Sequence, residues 1–168
     1  MQQISFYFKK TIIFALFSII LCGCSPTKTV LVCPYTDVAW ETTPEQLSSA
    51  KGDCLSSYAS TYGGMTYTYD GIYLNRAGTL KYMYDNQNTL KSIAWAYSSD
   101  SGEELLALYE EMHADIVAQY GESGYNTKSI GNYGDVWKMD SGNIILSVMI
   151  TETNKALQIA YVYPSADS

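Results

Sequence analysis

Apolar and polar residues alternate with a two-residue period, typical of β-strands, in six segments of the chain. The first three segments are 65–69, 79–84 and 92–97, and the other three are 135–139, 143–150 and 157–163. Residues that favour turns separate neighbouring segments. The pattern therefore predicts six strands in two groups of three.

A helix signature precedes the first group of strands. Thr43 can cap a helix that begins at Pro44, and Gln46 can complete a capping box. Gly52 can end this helix. A short helix is therefore predicted before residue 65.

A second and longer helix signature precedes the second group. Ser101 and Glu104 have the spacing of a capping box, and Gly121 suits the position after a helix. Apolar residues recur between them at helical spacing, namely Leu105, Tyr109, Met112, Ile116 and Tyr120. We therefore predict an α+β fold of two tandem helix-plus-three-strand units, with one antiparallel sheet and both helices packed on one face.

These elements place a single α+β domain at residues 38–168, with units at about 38–99 and 100–163. Residues 93–97 and 159–163 have similar sequences, which supports an internal repeat. A capped helix after an aromatic residue, as in 40–45, followed by three strands and then repeated, resembles the β-lactamase-inhibitor-protein-like fold. Small lipoproteins of the outer-membrane assembly machinery carry a single similar unit. The resemblance transfers no functional residue to this chain.

The amino terminus has the pattern of an export signal. Lys9 and Lys10 precede an uncharged, largely apolar run over residues 11–21, which is shorter than the ~20 residues of a membrane-spanning helix. The run ends in Leu21-Cys22-Gly23-Cys24, which resembles the lipobox of bacterial lipoproteins.

The lipobox resemblance implies cleavage after Gly23 and acylation of Cys24, for example with palmitate. Residues 1–23 would then be a signal peptide and 24–37 a lipid-anchored tether. The predicted location is extracytoplasmic, at the bacterial cell membrane or the outer membrane, with contact to the membrane through acyl chains. Ser25 permits sorting to the outer membrane in a Gram-negative cell.

Charge excludes one class of partner. The chain has 10 basic and 17 acidic residues and a net charge of −7. Phosphate backbones are bound by clustered Lys and Arg, so no nucleic-acid partner is expected. A metal site is not expected either, because His113 is the only histidine and no Cys-x-x-Cys sequence occurs.

Two cysteines follow the lipobox. Cys33 and Cys54 form an even pair in a compartment that we predict to be oxidising, and a disulfide between them would add about 3 kcal/mol of stability. The alternative is two independent buried thiols.

Tyrosine is unusually frequent, with 16 residues in the chain. Six aromatic residues occupy alternating strand positions and form a candidate binding surface, which we name the aromatic stripe: Tyr67, Tyr69, Tyr82, Tyr84, Trp95 and Tyr97. The alternative is that these residues pack in half-buried strands, because alternation does not reveal which face a helix covers.

No catalytic constellation is visible, and no cofactor is predicted. His113 is interpreted as a half-buried helix residue, and Asp135 and Asp140 as residues at the ends of a strand. The sequence therefore predicts a non-enzymatic, lipid-anchored module that binds a protein or peptide with its sheet. The alternative is a small-ligand or glycan binder that uses the tyrosines.

Overall fold

The computed structural model of the protein describes residues 31–129 and 131–163. The predicted signal peptide, Cys24 and the first part of the predicted tether lie outside the described residues, as do residues 130 and 164–168. The described part forms one antiparallel sheet with two helices.

The sheet contains eight strands in the order β1-β2-β3-β4-β8-β7-β6-β5, and every neighbouring pair is antiparallel. Along the chain, the elements are α1 (Pro44–Lys51), β1 (Ser56–Ala59), β2 (Gly63–Tyr73), β3 (Arg76–Asp85), β4 (Leu90–Ser98), α2 (Gly102–Tyr120), β5 (Tyr125–Ser129), β6 (Asn132–Met139), β7 (Gly142–Ile150) and β8 (Lys155–Val162).

The prediction of two helix-plus-three-strand units is wrong, because the sheet contains two more strands. The additional strands are β1 and β5, which form the two outer edges of the sheet. Every residue in both strands is exposed. An edge strand without a buried side has no need for alternating apolar residues, so the periodic signal is missing there.

The two halves of the chain meet in the centre of the sheet, where β4 pairs with β8. Ala94 lies directly opposite Ala160, with Ile93 opposite Tyr161 and Trp95 opposite Ile159. The pairing joins the strands of both halves into one continuous sheet. A single hydrophobic core therefore serves the whole domain.

The helix predictions are confirmed. In α1, the Gln46 backbone N–H donates to Thr43 Oγ1 at 3.4 Å, and the Thr43 N–H donates to Gln46 Oε1 at 2.9 Å, which completes the capping box. In α2, Ser101 Oγ accepts from the Glu104 N–H at 3.2 Å. The Glu104 carboxylate accepts instead from Tyr97 and Ser99, which ties the start of α2 to the end of β4.

Both helices contribute to a core on one side of the sheet, which we call the covered face. Its core includes Leu47 of α1 and Leu105, Leu108 and Met112 of α2. The opposite side, which neither helix contributes to, is called the open face.

Residues 31–40 also pack on the covered face. Leu31, Cys33, Tyr35 and Trp40 are all buried. The Tyr35 hydroxyl donates to the carbonyl oxygens of Ile93 at 2.8 Å and Ile159 at 3.0 Å, in the two central strands. The part of the predicted tether from residue 31 to residue 37 therefore belongs to the folded domain.

Candidate functional site

The aromatic stripe lies on the covered face. Strand register places Tyr67 opposite Tyr82, and Leu80 opposite Trp95. The side chains of Tyr82, Tyr84 and Trp95 are completely buried, and Tyr69 is 7% exposed. These four residues are core residues, so the stripe is not an exposed binding platform.

The stripe is held together by ring contacts between neighbouring strands. Tyr67 meets Tyr84 edge to face at a centroid distance of 5.8 Å, and Tyr69 meets Tyr82 in the same way at 5.8 Å. Such pairs stabilise a sheet beyond the area that they bury. Burial raises the pKa of the Tyr82 phenol to about 12, although its contact with Thr36 opposes the rise. Packing therefore accounts for the alternation of aromatic residues in β2 and β3.

The predicted disulfide is not formed. Cys33 and Cys54 are free thiols, the first buried and the second half-buried. Burial raises the pKa of Cys33 to about 12, while hydrogen bonds with Tyr35 oppose the rise. Cys33 packs in the core beneath the helices, whereas Cys54 lines a surface cavity near the edge of the sheet. The alternative prediction of two independent buried thiols therefore holds for their independence, but only Cys33 is buried.

The open face is made of small and polar residues at its centre. Strand pairing brings eight side chains from β3, β4, β8 and β7 onto this face: Thr79, Lys81, Ala94, Ala96, Gln158, Ala160, Ile145 and Ser147. Large exposed apolar residues occur further out, with Tyr125 60% exposed and Met149 39% exposed. Ala94 and Ala160 at the centre of this face are only 0% and 5% exposed, so neighbouring side chains cover them, and the exposed residues Tyr125 and Met149 lie nearer one side.

Lys81 is the charged residue among those eight. Its Nζ donates to Gln158 Oε1 at 3.0 Å, so the side chain crosses the intervening strand β4. The small side chains of Ala94 and Ala96 leave room for this crossing. Burial lowers the pKa of Lys81.

Lys81 keeps unused hydrogen-bonding capacity. Its ammonium has three N–H donors, and the neutral amide of Gln158 accepts one of them. Lys81 takes part in none of the ion pairs formed within residues 31–129 and 131–163. A partly buried cation with a neutral partner is a favourable site for a carboxylate, because the incoming charge offsets the cost of desolvation.

Acidic residues are concentrated on the other side of the sheet. The two helices carry Glu45, Glu103, Glu104, Glu110, Glu111 and Asp115. The central open face carries the cation Lys81, while the exposed carboxylate of Asp70, which pairs with Thr79, lies one strand further out on the same face. Sequence reasoning missed Lys81 and Gln158, although a lysine between the alternating aromatics of β3 was a visible signal.

His113 lies in a polar cluster that joins α2 to β6. Asp135 is 2% exposed and accepts hydrogen bonds from Tyr109 and, at 2.7 Å, from Ser123. His113 Nε2 is 3.7 Å from the same carboxylate. Ser123 donates to the carboxylate rather than to the histidine, so the cluster lacks the geometry of an activated serine. It satisfies a buried carboxylate and fixes the helix on the sheet.

A surface cavity of about 660 Å³ lies between α1 and β2. Its lining consists of Pro44, Glu45, Ser48, Asp53, Cys54, Tyr67 and Tyr69. Two members of the aromatic stripe, Tyr67 and Tyr69, therefore reach a second candidate site at the edge of the covered face.

Metal ligands do not gather in the part of the chain that the structure describes, where no group of three His, Cys, Asp or Glu side chains could hold an ion. Among the same residues, no helix has the length and apolar character needed to cross a membrane.

Comparison with known proteins gave one distant likeness. No protein-family model matches the chain, and no curated protein matches it. Among solved structures, the chain is similar to a DUF4309 family protein, YjgB, from Bacillus subtilis, with 12% sequence identity. The match covers 73% of this chain and 79% of that chain, with a TM-score of 0.41. A likeness this remote says nothing about function.

Proposed function

We propose that this protein is a non-enzymatic, lipid-anchored binding module of the bacterial cell envelope. In this proposal, acyl chains on Cys24 hold it at the membrane. Its open face binds a protein or peptide segment that presents a carboxylate to Lys81. The export pattern over residues 9–24 supports the anchoring, and the open face supports the binding.

The single observation that carries the binding proposal is the position of Lys81. Its ammonium is partly buried in the middle of an uncovered sheet face and donates to a neutral amide. A charge in this position destabilises the free protein slightly, because burial disfavours the ionised form. A carboxylate from a partner would remove that penalty and make a charge-assisted hydrogen bond.

Cross-linking from defined positions tests the binding face. A photo-reactive side chain replaces Thr79 on the open face, and the matched control places it at Glu111, which is exposed on α2. Irradiation of cells that make the full-length protein should yield a specific adduct from position 79 and none from position 111. Adducts only from position 111 would contradict the proposal.

The charge requirement is tested on the partner segment that the cross-link identifies. Lys81→Met should weaken its binding by about tenfold or more, the equivalent of about 1.4 kcal/mol. Lys138→Met is the control, because Lys138 is exposed near the end of β6. Equal effects of both substitutions would indicate a general charge effect rather than a site at Lys81.

Anchoring has a separate test. Cys24→Ser should abolish labelling by a fatty-acid analogue and leave an uncleaved precursor. Undiminished labelling of the variant would contradict the lipid anchor without bearing on the open face.

The second candidate function is binding of a small ligand or glycan through tyrosine side chains. The cavity between α1 and β2 favours it, because Tyr67 and Tyr69 line that cavity. A glycan array should then give binding that is lost in Tyr67→Ala. Binding that survives this substitution would exclude the tyrosine-lined cavity as the glycan site.

A further inference from the structure

The cavity between α1 and β2 combines two carboxylates with two phenol rings. Glu45 and Asp53 supply the carboxylates, and Tyr67 and Tyr69 supply the rings. The other lining residues are Pro44, Ser48 and Cys54, so the lining contains no lysine or arginine. Negative charge beside aromatic rings is an environment that favours a cation.

Contacts with the core restrain both rings. Tyr67 meets Tyr84 with an interplanar angle of 75°, and Tyr69 meets Tyr82 with an angle of 77°. Tyr84 and Tyr82 are fully buried, so the tyrosines that line the cavity pack against rings of the core. Rings that are already oriented lose little conformational entropy when a ligand binds.

An intramolecular contact nearby shows the same chemistry. The Lys51 ammonium, in the last turn of α1, lies 5.7 Å from the ring centroid of Tyr82. This distance is within the range of a cation–π interaction. The tyrosine cluster beneath α1 therefore already attracts one cation from the chain itself.

Glu45, one of the two carboxylates that line the cavity, is ionised at neutral pH. Hydrogen bonds from the Glu45 backbone N–H and the Thr43 side chain hold the pKa of Glu45 below its usual value. Its position in the first turn of α1 is consistent with this, because a negative charge is favoured at the start of a helix. An anionic ligand would be repelled here.

We propose that the cavity binds a small organic cation, namely an alkylammonium or guanidinium group. The phenol rings would contact the apolar or planar part of the cation, and Glu45 and Asp53 would balance its charge. This site is separate from the open face and does not depend on the function proposed for Lys81.

Calorimetric titration of the full-length protein in detergent tests the proposal. Choline is the alkylammonium probe and arginine amide is the guanidinium probe, while 3,3-dimethylbutanol is the uncharged counterpart of choline. Saturable binding of either cation, with much weaker binding of the alcohol, is expected. Failure of both cations to bind, or equal binding of the alcohol, would overturn the proposal.

Cys54 reports where the probe binds, because it lines the cavity. Choline or arginine amide at saturation should slow alkylation of Cys54, with the modified residue identified by peptide mass. Cys33 is buried, and burial raises its pKa to about 12, so it should not compete for the reagent at neutral pH. Calorimetric binding that leaves Cys54 alkylation unchanged would overturn the placement of the site.

Substitutions separate the aromatic contribution from general packing. Tyr67→Leu should weaken binding of the cation about two- to fivefold, whereas Tyr67→Phe should retain it, since the ring is kept. Tyr125→Leu is the matched control at an exposed tyrosine on the opposite edge strand. Glu45→Gln should also weaken binding. Equal affinity of wild type, Tyr67→Leu and Glu45→Gln would overturn the proposal.

Two further measurements distinguish the cation site from the open-face function and from the glycan alternative. Lys81→Met should leave binding of the cation unchanged, so a failure of the open-face function would not affect the result. A neutral disaccharide that protects Cys54 as well as choline does would favour the glycan alternative and overturn the cation proposal.

Discussion

The covered and open faces of the sheet are built from alternate residues of the same strands but differ in the size of their side chains. In β4, Trp95 is fully buried beneath the helices, while its neighbours Ala94 and Ala96 point to the open face. In β3, Tyr82 and Tyr84 are buried, while Lys81 lies on the open side.

The difference separates the residues that stabilise the domain, on the covered face, from those that we propose for partner binding, on the open face. Large rings on the covered face pack in one core with residues of the two helices and of the segment 31–40. Small residues on the open face, including the buried Ala94, allow Lys81 to lie across β4 to Gln158. Substitutions on the two faces should therefore affect different measurements.

Trp95→Ala should have the largest effect on stability. The substitution removes a fully buried indole from the covered face, and we expect a loss of about 3–5 kcal/mol in the free energy of unfolding. Ala96→Ser, at the adjacent open-face position, should change it by no more than about 0.5 kcal/mol. Urea unfolding followed by circular dichroism measures both. Unchanged stability of Trp95→Ala would contradict the assignment of the covered face.

Gly78→Ala should have the next largest effect. Gly78 pairs with Gly71 beside the Trp95 indole, and a Cβ atom at residue 78 would lie 2.5 Å from the Ala96 carbonyl oxygen. It would also lie 2.6 Å from Trp95 Nε1. The crowding should cost about 1–3 kcal/mol. Ala77→Ser, at the exposed neighbouring residue, is the control. Equal unfolding midpoints for Gly78→Ala and Ala77→Ser would contradict tight packing around the indole.

Tyr35→Phe should have a smaller effect on the covered face. It removes a buried hydroxyl that donates to carbonyl oxygens of both central strands. We expect a loss of about 0.5–1.5 kcal/mol, the net value of a typical hydrogen bond. Tyr58→Phe, at a tyrosine that is 46% exposed, should be neutral in the same unfolding experiment. A neutral Tyr35→Phe would show that the hydroxyl contacts with the two central strands add no net stability.

Lys81→Met should have the smallest effect on stability, although it removes the partly buried charge at the centre of the open face. At neutral pH, we expect a change of no more than about 0.5 kcal/mol in the free energy of unfolding. Partner binding, measured separately, should fall. A large loss of stability would show that Lys81 is a structural residue rather than a recognition residue.

The pH dependence of the same variant has a defined sign. Burial lowers the pKa of Lys81 in the folded protein below the ordinary value of 10.5. The charged form therefore carries a penalty at neutral pH, and this penalty disappears as pH rises through the lowered pKa. The stability of the wild type relative to Lys81→Met should increase in that window, while binding of a carboxylate partner decreases. A difference that is constant between pH 7 and 10.5 would contradict the lowered pKa.

Local signals in the sequence were sufficient for both helices and for the six inner strands. Thr43 and Gln46 form the predicted capping box, and alternation marks the strands that have one buried side. The edge strands β1 and β5 gave no such signal because both of their sides are exposed. The disulfide prediction for Cys33 and Cys54 depends only on their being an even pair of cysteines. The fold instead buries Cys33 and leaves Cys54 at a surface cavity.

The sequence by itself determined the positions of the helices, the alternation in the inner strands and the acidic character of the chain. It also provided the export pattern, from which the lipid anchor remains a prediction. Only the tertiary structure decided that Tyr69, Tyr82, Tyr84 and Trp95 of the aromatic stripe are core residues and that Lys81 lies on the side without helices. The physical reason is that alternation defines two sets of side chains, but the set that becomes buried depends on where the helices and residues 31–40 cross the sheet.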